Sequence, residues 1–212
     1  MDIKLVARPI RPNDYQPPMY TIEEAAGICV GQGPTGKGAK VALESGHDSL
    51  LEHINFTFRI DGVSRALLAQ LTRHRLVSYS VESQRYVDMH CFEYITPPSI
   101  DAVPEVKKAY DQAMAHIREF YATARKHGIP GEDARYALPN ATCTRLLMTA
   151  NLREMKNILS LRCCNRAQWE IRDMAQRMLK IIQEELPEVT KDWGAPCKRG
   201  ECKEKRPCHK TK

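Results

Sequence analysis

Between Ile54 and Ile60 the chain alternates apolar and polar residues, Ile54-Asn55-Phe56-Thr57-Phe58-Arg59-Ile60, the period of a strand with one buried face. From Val63 to Arg75 the period lengthens. Val63, Ala66, Leu67 and Leu71 recur at helical spacing, which places Gln70 and Arg73 three apart on one side near the helix end. Residues 103–127 carry a longer helical stripe of Val106, Ala109, Tyr110, Ala113, Ile117, Phe120 and Tyr121. Thr142 to Thr149, rich in Thr and Leu, predicts another strand, and Phe92 to Thr96 a short one stopped by Pro97-Pro98. Capping-box patterns at Thr21-Ile22-Glu23-Glu24 and Asn151-Leu152-Arg153-Glu154 predict helices over 22–30 and 151–161, with Arg153 and Asn157 four apart on one face. Further helices are expected over 40–45, 132–137 and 167–186. A few strands among several helices, without regular alternation or an internal repeat, predict an α+β fold: a mixed or antiparallel sheet packed with helices.

The 212 residues are 42% hydrophobic and 27% charged, which suits a globular body with a sizeable core. A single domain over 1–195 is expected, followed by a basic Cys- and Lys-rich tail over 196–212. The start, Met1-Asp2-Ile3-Lys4-Leu5-Val6, lacks the charged and then apolar order of a secretory leader, and no apolar stretch approaches the ~20 residues of a membrane span. A cytoplasmic protein with no membrane partner is expected. Its eight cysteines are accordingly read as reduced thiols, buried or incidental.

The net charge of +6 raises the possibility of nucleic-acid binding. From Cys197 to Lys212, however, seven Lys and Arg face two Glu, so the tail holds +5 and the rest of the chain +1. With 7% aromatic residues for base stacking, the body is a poor nucleic-acid surface, and no nucleic-acid partner is expected. The tail also holds Cys197, Cys202, Cys208 and His209, but their spacing lacks the paired cysteines of a zinc ribbon, and no metal site is expected. Gly200 and the prolines at 196 and 207 oppose regular structure there.

The densest chemistry lies in Arg73-His74-Arg75-Leu76-Val77-Ser78-Tyr79-Ser80-Val81-Glu82-Ser83-Gln84-Arg85-Tyr86. Arginine offers a rigid fork of donors matching phosphate and carboxylate oxygens, and serine adds a short hydroxyl, so the run reads as an anion site. The segment Gly31-Gln32-Gly33-Pro34-Thr35-Gly36-Lys37-Gly38 matches G-x-G-x-x-G, yet Gly38 stands where a P-loop has Ser or Thr, and a helix rather than a strand is predicted before it. It is read as a loop without a phosphate.

Arg73-His74-Arg75, then Ser83 and Arg85-Tyr86, resembles the signature of flavin-dependent thymidylate synthases. Gly46-His47-Asp48-Ser49 with Glu52-His53 resembles the family's upstream segment, and Asn151-Leu152-Arg153, Asn157, Leu161-Arg162 and Ala167-Gln168-Trp169-Glu170 its later half. The resemblance spans roughly residues 20–190. It implies a homotetramer with shared active sites that methylates dUMP to dTMP, using FAD, with NADPH as reductant and methylenetetrahydrofolate as carbon donor and without a cysteine nucleophile. It further implies flavin contacts from His47, Ser49, Arg73, His74, Arg75, Val81, Asn151, Arg153 and Asn157. For dUMP it implies Gln70, Arg73, Glu82, Ser83, Gln84, Arg85, Arg135 and Arg162, with Arg162 catalytic at the uracil edge, where a fixed positive charge favours the deprotonated base.

Two departures stand out. Family members often carry Gln or Glu at the position of Val81, whereas here the carboxylate falls at Glu82; many carry histidine where Arg166 stands. Other readings left by the residues are a basic nucleic-acid-binding module and a flavoprotein of this fold without methylation activity. Asn151 also reads as a plain helix cap, His47 as an ordinary loop histidine, Trp169 as core and Cys163-Cys164 as packing residues.

Overall fold

In a computed structural model, residues 1–8, 18–198, 200, 202, 204, 205, 207 and 208 are described. The elements run β1 (Asp2–Ala7), α1 (Pro18–Cys29), α2 (Gly38–Glu44), a 3-10 helix (Asp48–His53), β2 (Asn55–Ser64), α3 (Arg65–Leu71), β3 (Val77–Val81), α4 (Pro98–Asp101) and α5 (Pro104–Lys126). They continue with α6 (Gly131–Ala134), a 3-10 turn (Arg135–Ala137), β4 (Cys143–Asn151), α7 (Leu152–Arg162), α8 (Trp169–Glu185), α9 (Pro187–Thr190) and a 3-10 turn (Pro196–Lys198). The strands form one antiparallel sheet in the order β1-β2-β4-β3, so the α+β expectation holds.

Contacts divide the chain into two compact units. The first holds 1–2, 60–71 and 80–146. Its core is Met89, Phe92, Met114, Tyr121 and Ala134, with Tyr94, Tyr110, Ile117, Ala124 and Leu138 packed on it. The Arg118 guanidinium lies over the Phe92 and Tyr94 rings at 5.2 and 5.3 Å and donates to the Phe92 carbonyl, fixing the segment before α4 to α5. The expected strand over 92–96 reduces to one antiparallel bridge, Tyr94 with Thr142, because Pro97 and Pro98 cannot extend a ladder. Of the predicted stripe of α5, Tyr110, Ile117 and Tyr121 face the core together with Met114, which the stripe left out, while Val106 and Phe120 are 48% and 55% exposed.

The second unit holds 3–59, 72–79 and 147–212. Phe56 and Phe58 of β2 are fully buried and alternate with exposed or half-buried Asn55 and Thr57, as the sequence pattern requires. Thr57 and Thr149 hydroxyls share a cross-strand hydrogen bond at 2.9 Å. α7 packs on α8, and Leu152, Met155, Ile158 and Leu159 of the first and Ile171, Met174, Ala175, Met178 and Ile182 of the second are all buried. Each buried Leu, Ile or Met among them contributes about 1.5–3 kcal/mol. α1 begins at Pro18, so Thr21 lies inside the helix rather than at its N-cap position. Trp169 is half-buried at the start of α8, while Trp193 is buried.

Candidate functional site

Asn151 ends β4 in extended conformation and its Oδ1 accepts from the Glu154 backbone amide at 2.9 Å, which starts α7. A capping box would turn the Glu154 carboxylate back toward the cap; here it turns elsewhere. Its Oε1 lies 3.3 Å from His74 Nδ1, and Asn157 Nδ2 lies 3.3 Å from each carboxylate oxygen. On the other side of the ring, Arg162 Nε donates to His74 Nε2 at 3.0 Å. His74 and Glu154 are buried, whereas Arg73 and Arg75 on either side of His74 are exposed.

Burial and the Arg162 charge hold the His74 imidazole below its ordinary value near 6.5, against the opposing pull of Glu154. Arg162 is itself lowered, by burial first and then by Arg73. Tyr79 donates its hydroxyl to the His74 carbonyl at 3.3 Å, and burial with the nearby Glu154 pushes that phenol up to about 12.

On the side of Glu154 and Asn157 the second unit has a cavity of about 790 Å³ lined by Asp48, Glu52, Leu76, Asn151, Arg153, Glu154, Lys156, Asn157 and Ser160. Lys156 bonds both oxygens of Asp48 at 2.7 and 2.8 Å, and Arg153 pairs with Glu52. His47 and Ser49 do not line this cavity. They border another of about 510 Å³, whose walls include Ala26, Val30, Gln32, Lys37, Val41 and Leu50. The glycine-rich segment therefore borders a cavity, with Thr35 Oγ1 accepting from the Gly38 amide at 3.1 Å.

In the first unit, Ser83 Oγ accepts from the Arg85 amide at 3.2 Å, and the Ser83 carbonyl accepts from Val87 at 3.0 Å, forming a tight turn. Arg85 pairs with Glu132 at 2.9 Å, and Arg135 Nε donates to the Glu132 carbonyl at 3.1 Å, so both arginines meet at one residue. The Arg85 carbonyl lies 3.4 Å from where a Cβ on Gly131 would be, so the turn rests closely on the start of α6. Glu82 is bound on three sides. Its amide donates to the Arg145 carbonyl at 3.0 Å, its carboxylate pairs with Arg145 at 2.8 Å, and its carbonyl accepts from Arg65 at 2.7 Å. Burial lowers the Arg65 guanidinium, and Arg135 lowers it further against the raising effect of Glu82.

The predicted residues thus fall into separate groups. His74 and Arg162 are in direct contact, and Asn151, Arg153 and Asn157 share a cavity. Ser83, Gln84, Arg85 and Arg135 belong to the first unit, as do Val81 on β3 and Gln70, whose amide also donates to the Ala66 carbonyl at 3.3 Å. The residues not foreseen are Glu154, Tyr79, Arg65 and Glu132. Glu154 was hidden by its fit to a capping box. Tyr79 stands inside the polar run, where the alternation of Val77, Tyr79 and Val81 with two serines was the available signal.

Cys163 is buried, and burial pushes its thiol up to about 11, so it is no thiolate at neutral pH. Among the described residues no group of three His, Cys, Asp or Glu could hold a metal ion. His209 and much of the basic tail lie outside the described residues; Arg166 pairs with Glu204 at 3.3 Å. No helix among the described residues is long and apolar enough to cross a membrane.

Comparison with known proteins places these features in context. A family model described as thymidylate synthase complementing protein matches residues 14–188. The flavin-dependent thymidylate synthase of Geobacter sulfurreducens is 44% identical over 164 residues, covering 76% of this chain and 71% of its own. That of Nitratidesulfovibrio vulgaris is 45% identical over 179 residues, covering 79% and 73%. Among solved structures, thymidylate synthase X from Helicobacter pylori, crystallised with FAD and dUMP, is similar at a TM-score of 0.71 and 24% identity, over 91% of this chain and 98% of its own. That likeness is one of fold.

Proposed function

This chain belongs to the flavin-dependent thymidylate synthase family, and from that premise we propose how its own residues divide the work of an FAD-dependent methyltransferase. The reaction is the reductive methylation of dUMP to dTMP, with methylenetetrahydrofolate giving the carbon and NADPH the electrons, in a cytoplasmic homotetramer with shared active sites. One domain over 1–195 carries it, and the tail takes no part.

The observation that carries this reading is the 790 Å³ cavity in which Asn151, Arg153 and Asn157 converge, beside the group that joins Glu154 to His74 and Arg162. Its volume is in the range of cofactor pockets, and its polar lining offers amide and guanidinium donors for a heterocycle's carbonyl and ring nitrogens. The residues fit a flavin. Such a flavin would supply the redox chemistry of the reaction, linking NADPH to the hydride needed for the new methyl group. Asn151, Arg153 and Asn157 would hold it, with Arg73 and Arg75 adding exposed positive charge and His47, Ser49 and Val81 further contacts.

Toward dUMP, Ser83, Gln84, Arg85 and Arg135 are the phosphate residues. The turn at Ser83 presents backbone amides, and Arg85 exchanges Glu132 for the phosphate, a stronger acceptor. Gln70 and Arg73 orient the nucleotide. Glu82 acts through the backbone, since its carboxylate is held by Arg145. Arg162 places a permanent positive charge at the uracil edge, where it favours the N3-deprotonated base and so a more nucleophilic C5.

Purified protein is expected to be yellow or to take up FAD with the change in flavin absorbance that marks binding. Arg85→Ala is expected to weaken dUMP binding by about 1.5–3 kcal/mol, the range for a lost charged hydrogen bond, with flavin content unchanged. Protein that remains colourless with excess FAD, or calorimetry with equal dUMP affinity in both forms, contradicts the assignment.

A further inference from the structure

Arginine is only ever a donor, so the His74 nitrogen that meets Arg162 Nε at 3.0 Å has to present its lone pair. The remaining ring proton then sits on Nδ1, 3.3 Å from a carboxylate oxygen of Glu154, which can only accept. Both neighbours select the same neutral tautomer. His74 is 6% exposed and Glu154 7%, so no water competes strongly for either contact. Glu154 is held in turn by Asn157 and by its place in the first turn of α7, whose amide end favours a carboxylate. The Tyr79 hydroxyl anchors the His74 backbone from the strand side.

We propose that Glu154 and His74 form a buried relay that positions Arg162, and that the His74 side chain acts on the reaction through this arginine. The proposal rests on the role given to Arg162 above. Fixing Nε fixes the plane of the guanidinium, and the delocalised fork follows that plane as one rigid body. The relay also balances charge: a carboxylate and a guanidinium are joined through a neutral ring, so neither is buried without a partner. Glu154 is thereby a positioning residue, on the helix that carries Arg162 at its other end. Depression of the His74 ring by burial and by Arg162 agrees with a ring that stays neutral during turnover.

Two measurements test the relay. In wild-type holoenzyme carrying ¹⁵N-histidine, long-range proton–nitrogen correlation at neutral pH is expected to show His74 as the Nδ1-protonated neutral ring. An Nε2-protonated ring or an imidazolium overturns the relay whatever the activity. In kinetics, an amide side chain can donate at one end and accept at the other, so His74→Gln should keep kcat within about tenfold of wild type. His74→Leu should lose about 100-fold in kcat, the scale of a misplaced reacting group, with the KM for dUMP and bound flavin within a few fold. Equal kcat in the Gln and Leu forms, or a loss confined to flavin content, overturns the proposal. Wild type without turnover instead defeats the functional reading, so the two failures are distinct. Should His74→Leu fail to fold, the nitrogen spectra of wild type still decide.

Discussion

His74 sits in a motif whose exposed members, Arg73 and Arg75, are easily read from sequence as cations facing an anionic partner. Its own side chain does the opposite, turning inward between Arg162 and Glu154. No local pattern contains that fact, because its two partners, Glu154 and Arg162, lie 80 and 88 positions from His74 along the chain. The consequence for stability is directional. A ring whose folded value is depressed binds fewer protons in the native state than in the unfolded one, so stability rises with pH through that window. His74 should therefore contribute its full share above about 6.5, the ordinary histidine value, and lose it as pH falls below. Urea unfolding from pH 5 to 8 should show less of this decline in His74→Gln than in wild type. Parallel slopes in the two proteins would show that His74 does not titrate between the states.

At the scale of elements, the strongly periodic segments were legible and the short ones inside polar runs were not. β2 and α5 were found because each repeats its period over many residues. β3 was not, since Val77, Tyr79 and Val81 alternate with serines inside a run dominated by charge and hydroxyls. β1 carries only Ile3 and Leu5 as half-buried positions, too short a pattern to stand out. The capping box at 151–154 was half right: Asn151 caps α7, but a tertiary partner draws the Glu154 carboxylate away. This gives Asn151 two duties that substitution can separate. Asn151→Ala should cost about 1 kcal/mol of stability and also weaken flavin binding. Asn151→Ser, another good cap, should recover most of the stability and little of the flavin affinity, as read by thermal unfolding of apoprotein and by FAD titration. Full recovery of both by serine would reduce Asn151 to a cap.

On the scale of the whole chain, charge and resemblance were legible early for different reasons. Counting charge moved +5 of the +6 into the last sixteen residues and left +1 for the rest of the chain. The spaced motif from Arg73 to Tyr86 pointed to the family that the match over 14–188 then established. The division into two compact units was not legible, since β2 and α3 read as consecutive elements while the contact boundary falls inside β2, between Arg59 and Ile60. The central claim is that this chain methylates dUMP at C5 with Arg162 at the uracil edge. It is tested most directly by the release of tritium from C5-labelled dUMP in the presence of FAD, NADPH and methylenetetrahydrofolate. Wild type is expected to release label only with all three present, and Arg162→Ala at least about 100-fold more slowly, a loss of roughly 2.7 kcal/mol of transition-state stabilisation. Release by Arg162→Ala at the wild-type rate, or none from flavin-loaded wild type, would contradict it.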